Sequence, residues 1–279
     1  MPFCKRPGKP DLFYELDDFT DPWENAPYLI LQHGYARNSK YWFQWVPYLS
    51  RYFKVVRPDL RGLGQSGKNF DFATELTPEE YLGDLRAIVK QLGDQPVHWC
   101  GESIGGILGL VFASCYPKLI RSLSILSSPV FINDAARKRF ACGYSSWPEA
   151  VRKMSGDEWV KQTNNGYRFP PDAPDGLVEW YAKTLSAGTE MMACMAEFAL
   201  KVNIEPYLAK IEAPVLALYP TGGMIADKEQ EAILAKHIRN LRFMHIPCIY
   251  HAVGLVKLRQ CVHQVLNFAA GVDGRVCDE

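Results

Sequence analysis

The chain has 279 residues, 48% apolar and 22% charged, enough to bury a sizeable core as one large domain or as a core with an insertion. That mixture excludes disordered, collagen-like and coiled-coil chains. Its 31 basic and 31 acidic residues cancel, which leaves no electrostatic footprint for a nucleic acid or an anionic membrane surface.

At the N-terminus Pro2 and Pro7 flank the first charges, and no apolar segment of the kind that marks a secretory signal follows them. A cytoplasmic location is therefore expected. Short apolar runs at 28–31 and 53–56 read as strands. Thr77, Pro78 and Glu80 then supply a cap residue, proline at the first helical position and an acid three residues after the cap, which predicts a helix to about Leu92. Residues 97–100 read as a strand, and 104–115 as an apolar helix that reaches about half of the ~20 residues a membrane span needs. After a strand at 123–126 the alternation stops. Residues 129–205 hold many aromatics, Trp147 and Trp180 among them, together with Met191, Met192 and Met195, and no convincing strand. This segment reads as a helical insertion, most of whose large side chains pack helix on helix while some face a ligand. Strands at 215–219 and 243–246 follow, and a helix over 257–270, stopped at Gly271, closes the chain. Strand–helix alternation of this kind predicts an α/β fold with a mainly parallel sheet covered on both faces.

The eight cysteines include no Cys-x-x-Cys pair, and no histidine cluster has ligand spacing, so buried thiols are expected and no metal. No Gly-x-Gly-x-x-Gly follows a strand, so no cofactor is expected either. The chemistry concentrates at Gly101-Glu102-Ser103-Ile104-Gly105. A serine thrust out at a tight strand-to-helix turn leaves no room for side chains two positions before and after it, and the following helix N-terminus favours developing negative charge. Strand 28–31 runs into His33-Gly34, and Arg57-Pro58-Asp59-Leu60-Arg61-Gly62 follows the next strand.

Together these segments resemble the alpha/beta-hydrolase superfamily, notably its enol-lactonase, esterase and carbon–carbon hydrolase branches. The likeness is dense over 28–128 and looser over 206–270. It implies a hydrolase core in two parts, 1–128 and 206–279, around a helical lid at 129–205. It also implies Ser103 as nucleophile, the amides of Tyr35 and Ile104 as oxyanion hole, and a histidine base after the last strand. Of the six histidines, only His251 lies in that loop.

The acid departs from the family pattern. Gly223 occupies the usual aspartate slot, and Ser127 the alternative slot after the sixth strand. Asp227 is the candidate by elimination, with a helix N-cap as its ordinary role; Asp134 at the start of the insertion, or a serine–histidine dyad, stays open. Glu102 is expected to tune local charge at most. Arg37 is a candidate contact for a substrate carboxylate, with a solvated surface arginine as the plainer reading, and Trp147 and Trp180 are candidate pocket walls. The expected activity is hydrolysis of a small, largely apolar ester or lactone, by a monomer or an oligomer. Carbon–carbon cleavage by the same serine and histidine, or slow ligand reception, are the alternatives.

Overall fold

The computed structural model describes residues 3–277 apart from 165 and 186. Its strands are β1 (Phe3–Cys4), β2 (Leu12–Asp17), β3 (Tyr28–Gln32), β4 (Lys54–Pro58), β5 (Val97–Glu102), β6 (Ile120–Leu126), β7 (Val215–Pro220) and β8 (Leu241–Ile246). They form one sheet in the order β1-β2-β4-β3-β5-β6-β7-β8. From β4 to β8 all pairings are parallel, whereas β2 runs antiparallel to β4 and β1 to β2. The six strands of the alternation fall where the sequence predicts them. β1 and β2 lie before it and were not expected.

The helices in chain order are α1 (Val46–Leu49), α2 (Pro78–Gln91), α3 (Ile104–Cys115), α4 (Asp134–Ala141), α5 (Trp147–Met154), α6 (Gly156–Asn164), α7 (Asp175–Lys183), α8 (Thr189–Lys201), α9 (Glu205–Leu208), α10 (Lys228–His237), α11 (Val253–Val256) and α12 (Leu258–Val272). None of the described helices is long and apolar enough to cross a membrane. The side chain of Thr77 caps α2 by accepting from the Glu80 amide. Cys4, Cys100, Cys194 and Cys261 are buried thiols as expected, while Cys115 is exposed.

Both faces of the sheet are covered, and the strand period shows how. Ile30, Val56 and Trp99 point into the core under α2 and α3, whereas their chain neighbours Leu29, Val55 and Cys100 point into the core under α12. A strand buried on both faces has no polar alternation to display, which is why β5 and β7 read as continuous buried runs. Burying each large apolar side chain contributes about 1.5–3 kcal/mol.

The topology also places the site. β3 lies between β4 and β5, so the chain leaves β3 toward one edge and returns past it to build the other half. In open parallel sheets the loops diverge at such a reversal and leave a crevice outside the carboxyl ends of the strands. The loops after β3 and β5, which carry Tyr35 and Ser103, flank this crevice.

Polar contacts fix those loops. Asp59 accepts from the amides of Ser39 at 2.6 Å and Gln65 at 2.8 Å. Arg61, fully buried, forks onto Asp84 of α2 at 2.6 and 2.9 Å. The Leu60 amide donates to Nε2 of His33 at 3.2 Å, so the ring proton sits on Nδ1 and is donated to the Gly34 carbonyl at 2.9 Å. Burial holds His33 neutral, its pKa lowered to about 4, so this tautomer anchors the β3 loop throughout the neutral range.

Candidate active site

At the end of β5 the backbone of Ser103 adopts φ 53° and ψ −120°, a conformation that costs a residue with a Cβ on the order of 1–3 kcal/mol. The flanking glycines make it feasible. A Cβ on Gly101 would overlap the Gly105 carbonyl group, and one on Gly105 would overlap the Gln32 carbonyl of β3. The Ser103 amide donates to Leu126 O of β6 at 2.9 Å, and its carbonyl receives the amides of Gly106 at 3.0 Å and Ile107 at 3.1 Å. The strained turn is thus held from both sides, and Ile104 opens α3, where the first amides have no intrahelical acceptor.

Ser103 faces an enclosed cavity of about 30 Å³. The core supplies Tyr35, Arg37, Glu102 and Ile104 to its walls; the helical segment between β6 and β7 supplies Phe140, Trp147, Arg168 and Tyr181. His251 completes it from the loop between β8 and α11. Its amide donates to Tyr167 O at 2.9 Å, and its ring stacks on Tyr167 with centroids 5.6 Å apart and planes 12° from parallel. Burial, reinforced by the positive charge of Arg168, lowers the imidazole pKa to about 3. At neutral pH the ring carries no charge.

The carboxylate beside this histidine belongs to Glu102. Its Oε1 lies 3.4 Å from His251 Nε2, an ion-pair distance, with no hydrogen bond joining the two. Oε2 packs against Gly34, where a Cβ would overlap it. Burial raises the Glu102 pKa to about 7, against the opposing pull of the Arg37 and Arg168 charges. Sequence reasoning gave this residue only a tuning role. The one local signal was its adjacency to the nucleophile.

The other candidates separate. Asp227 is a helix cap: it accepts from the Gln230 amide of α10 at 3.1 Å and from Asn133 Nδ2 at 2.7 Å, and it does not line the cavity. The loop after β7 therefore ends by satisfying the N-terminus of α10 rather than by turning toward His251. Asp134 is exposed in the first turn of α4, and the Ser127 hydroxyl is buried without a hydrogen-bond partner among the described residues. Arg37 is buried at 3% exposure, not solvated. Trp147 lines the cavity, but Trp180 packs on Phe43 at 4.9 Å and is no part of it. One residue along α7 turns the helix by about 100°, so Tyr181 faces the site in its place. Arg168, which no sequence pattern announced, faces it too.

The family model for the alpha/beta hydrolase fold matches residues 27–258. The chain belongs to the alpha/beta-hydrolase superfamily. RutD of Agrobacterium fabrum, a carbamate hydrolase by name, is 31% identical over 273 residues, covering 94% of this alpha/beta hydrolase and 99% of that protein. The strigolactone esterase RMS3 of Pisum sativum is 31% identical over 232 residues, covering 80% and 85%. Among solved structures, the enol-lactonase from Burkholderia xenovorans LB400 superposes with a TM-score of 0.75 at 20% identity, covering 96% and 99% of the two chains. An esterase from Thermogutta terrifontis gives 0.79 at 21%, covering 98% and 97%; these two likenesses concern the fold alone.

Titration of Glu102 shapes stability. In the native hydrolase this carboxyl keeps its proton up to about pH 7, against an ordinary value of 4.5. Between those values the folded state binds more protons than the unfolded state, so the Glu102 contribution falls as pH rises and the deficit persists above 7. His251 and His33, with lowered pKa values of about 3 and about 4, act in the opposite sense: their contribution is present above the unfolded value of 6.5 and is lost on acidification. Glu102→Gln removes only the first effect. Its melting temperature is expected to exceed that of the native protein by about 5 °C at pH 8, corresponding to about 2–3 kcal/mol, and to match it near pH 4.5. Scanning calorimetry at the two pH values measures the difference, and an equal offset at both refutes the assignment.

Proposed function

We propose that this alpha/beta hydrolase cleaves a small carboxylic ester or lactone by a serine mechanism. Ser103 attacks the carbonyl carbon, and His251 takes the hydroxyl proton and returns it to the leaving oxygen. The amides of Tyr35 and Ile104 hold the oxyanion. Water then attacks the acyl-serine ester with the same histidine as base, releasing the acid and restoring Ser103. The observation that carries this reading is the strained turn of Ser103, which exposes its side chain in the enclosed cavity that His251 also lines. The esterase and carbamate hydrolase names of the relatives support acyl transfer.

Among the described residues no aspartate lines the cavity with the histidine. Glu102 takes over the electrostatic part of that role: once ionised, its carboxylate at 3.4 Å stabilises the imidazolium that forms during attack. Stacking on Tyr167 and the backbone bond to the same residue orient the ring instead of a carboxylate hydrogen bond.

A cavity of about 30 Å³ is about a tenth of the smallest volume usual for a small-molecule site. Substrate entry therefore requires displacement of the segment that roofs it, so residues 129–205 act as a lid, with Phe140 and Trp147 on its inner face. A panel of short-chain esters, lactones and vinylogous diketones, run beside a fluorophosphonate probe with the labelled peptide located by mass spectrometry, tests the assignment. Turnover of esters or lactones and labelling at Ser103 are expected. Cleavage confined to the diketones, or labelling at another serine, overturns it.

A further inference from the structure

We propose that Tyr35 is a positioning residue through which the lid sets the oxyanion hole, so that the hole is in order only while residues 129–205 lie closed over Ser103; this deepens, and rests on, the serine-hydrolase reading of the same cavity. The backbone of Tyr35 lies close to the nucleophile. A Cβ on Gly34 would come within 3.2 Å of Ser103 Cβ, so the chain passes over the serine as it enters Tyr35. The Tyr35 amide donates to none of the described residues. A backbone N–H without an acceptor beside an enclosed cavity is costly, and an oxyanion formed in that cavity supplies the acceptor.

Local structure alone does not hold this loop in place. Ala36 has φ 54°, a left-handed conformation that costs a residue with a Cβ on the order of 1 kcal/mol or more. The turn's own bond, from the Arg37 amide to Gly34 O, is long at 3.4 Å. The side chain of Tyr35 holds the loop from its other end. Its hydroxyl donates to Met192 O of α8 at 2.6 Å. Its ring packs on Trp147 of α5 with centroids 4.7 Å apart and meets Trp159 of α6 edge-on at 5.5 Å. The two indoles stack on each other at 5.7 Å, 14° from parallel. A carbonyl oxygen has two lone pairs, so Met192 O can take the hydroxyl and keep its place in α8. Three helices of the lid therefore grip one side chain whose residue lines the Ser103 cavity from the core.

The grip and the strain at Ala36 oppose each other. When the lid lifts to admit an ester, the hydroxyl bond and both ring contacts are lost together, and the turn at Ala36 is free to relax and carry the Tyr35 amide away from Ser103. A misplacement of about 1 Å is enough to cost on the order of 100-fold in rate. Closure over the bound ester restores the grip and the amide with it, which confines acyl transfer to the closed, water-excluding state.

The test uses a trifluoromethyl ketone, 1,1,1-trifluoro-4-phenylbutan-2-one, beside its carbinol, 1,1,1-trifluoro-4-phenylbutan-2-ol. Ser103 Oγ adds to the ketone carbon, its proton passes to His251, and the carbonyl π pair becomes the oxyanion; the carbinol has nearly the same shape and forms no adduct. Tyr35→Phe removes the hydroxyl and keeps the ring and the amide. It is expected to weaken the ketone by about 30-fold and to lower kcat on p-nitrophenyl acetate by a similar factor, with KM and carbinol binding within about threefold of native. Trp159→Phe, on the lid and outside the cavity lining, should weaken the ketone in the same sense, and the double variant should fall short of the product of the two single effects. Ketone binding that Tyr35→Phe leaves unchanged, equal weakening of ketone and carbinol, or fully multiplicative effects in the double variant overturn the proposal. Ser103→Ala separates it from the mechanism beneath it. A ketone that binds Ser103→Ala as tightly as the native protein refutes the serine mechanism and the proposal with it, whereas binding that needs Ser103 but ignores Tyr35→Phe refutes the role of Tyr35 alone.

Discussion

Replacing Ser103 by Ala is expected to lower kcat on an ester substrate by about four to six orders of magnitude, the loss that follows removal of a nucleophile that acts as a unit with its base. The change removes one hydroxyl and keeps the Cβ, so the strained turn at φ 53° persists and the fold should be unaffected. Residual catalysis would come from the oxyanion amides and from positioning. Stopped-flow measurement with an activated ester reads the effect directly: the native protein should show a burst of leaving group as the acyl-serine forms, and the variant none. A variant that keeps even a tenth of native turnover would place the nucleophile elsewhere.

The second large effect concerns the acid. Glu102→Gln is expected to lower kcat by about 100-fold, equivalent to about 2.7 kcal/mol of transition-state stabilisation, because the imidazolium of His251 would form in a buried site containing two arginines with no compensating charge. The pH profile supplies the specific signature. His251 is neutral well below pH 7 in the resting protein, so the native rate should rise as Glu102 ionises, with a midpoint near its pKa of about 7, and the Gln variant should lack that limb. Asp227→Asn is the control. Asparagine caps a helix about as well as aspartate, so the Gln230 contact is kept, and turnover should stay within a factor of two. A large loss in Asp227→Asn together with normal turnover in Glu102→Gln would reverse the two roles.

Much of this site was readable in the linear order because its constraints are local. The turn at Ser103 needs glycine at 101 and 105 for reasons confined to a few residues, since a Cβ at either would overlap backbone. Thr77, Pro78 and Glu80 start α2 by contacts within one turn. The strands that feed the site are continuous apolar runs because both faces of the sheet are covered, and His251 could be singled out by its place after the last of them.

What only the tertiary structure decided depends on contacts between segments far apart in the chain. β2 is a strand because β4 pairs with it antiparallel, a partner that no local period reveals. Asp227 and Glu102 are both acids near plausible positions. One was claimed by the N-terminus of α10 and the other by a cavity wall, and the choice was made by where the loop after β7 runs and by how β5 delivers its last residue. Desolvation is likewise a property of the assembled fold: it is the packing of Tyr167, Arg168 and the helices between β6 and β7 over Ser103 that takes His251 down to about 3 and Glu102 up to about 7. The sequence by itself determined the strained turn at Ser103, the place of His251 after the last strand and the sheet that carries both, because backbone sterics and hydrophobic period act over a few residues; which carboxylate lies beside His251, the burial of Arg37 and Arg168 and the protonation states were decided by tertiary packing, because electrostatic environment is set by neighbours in space.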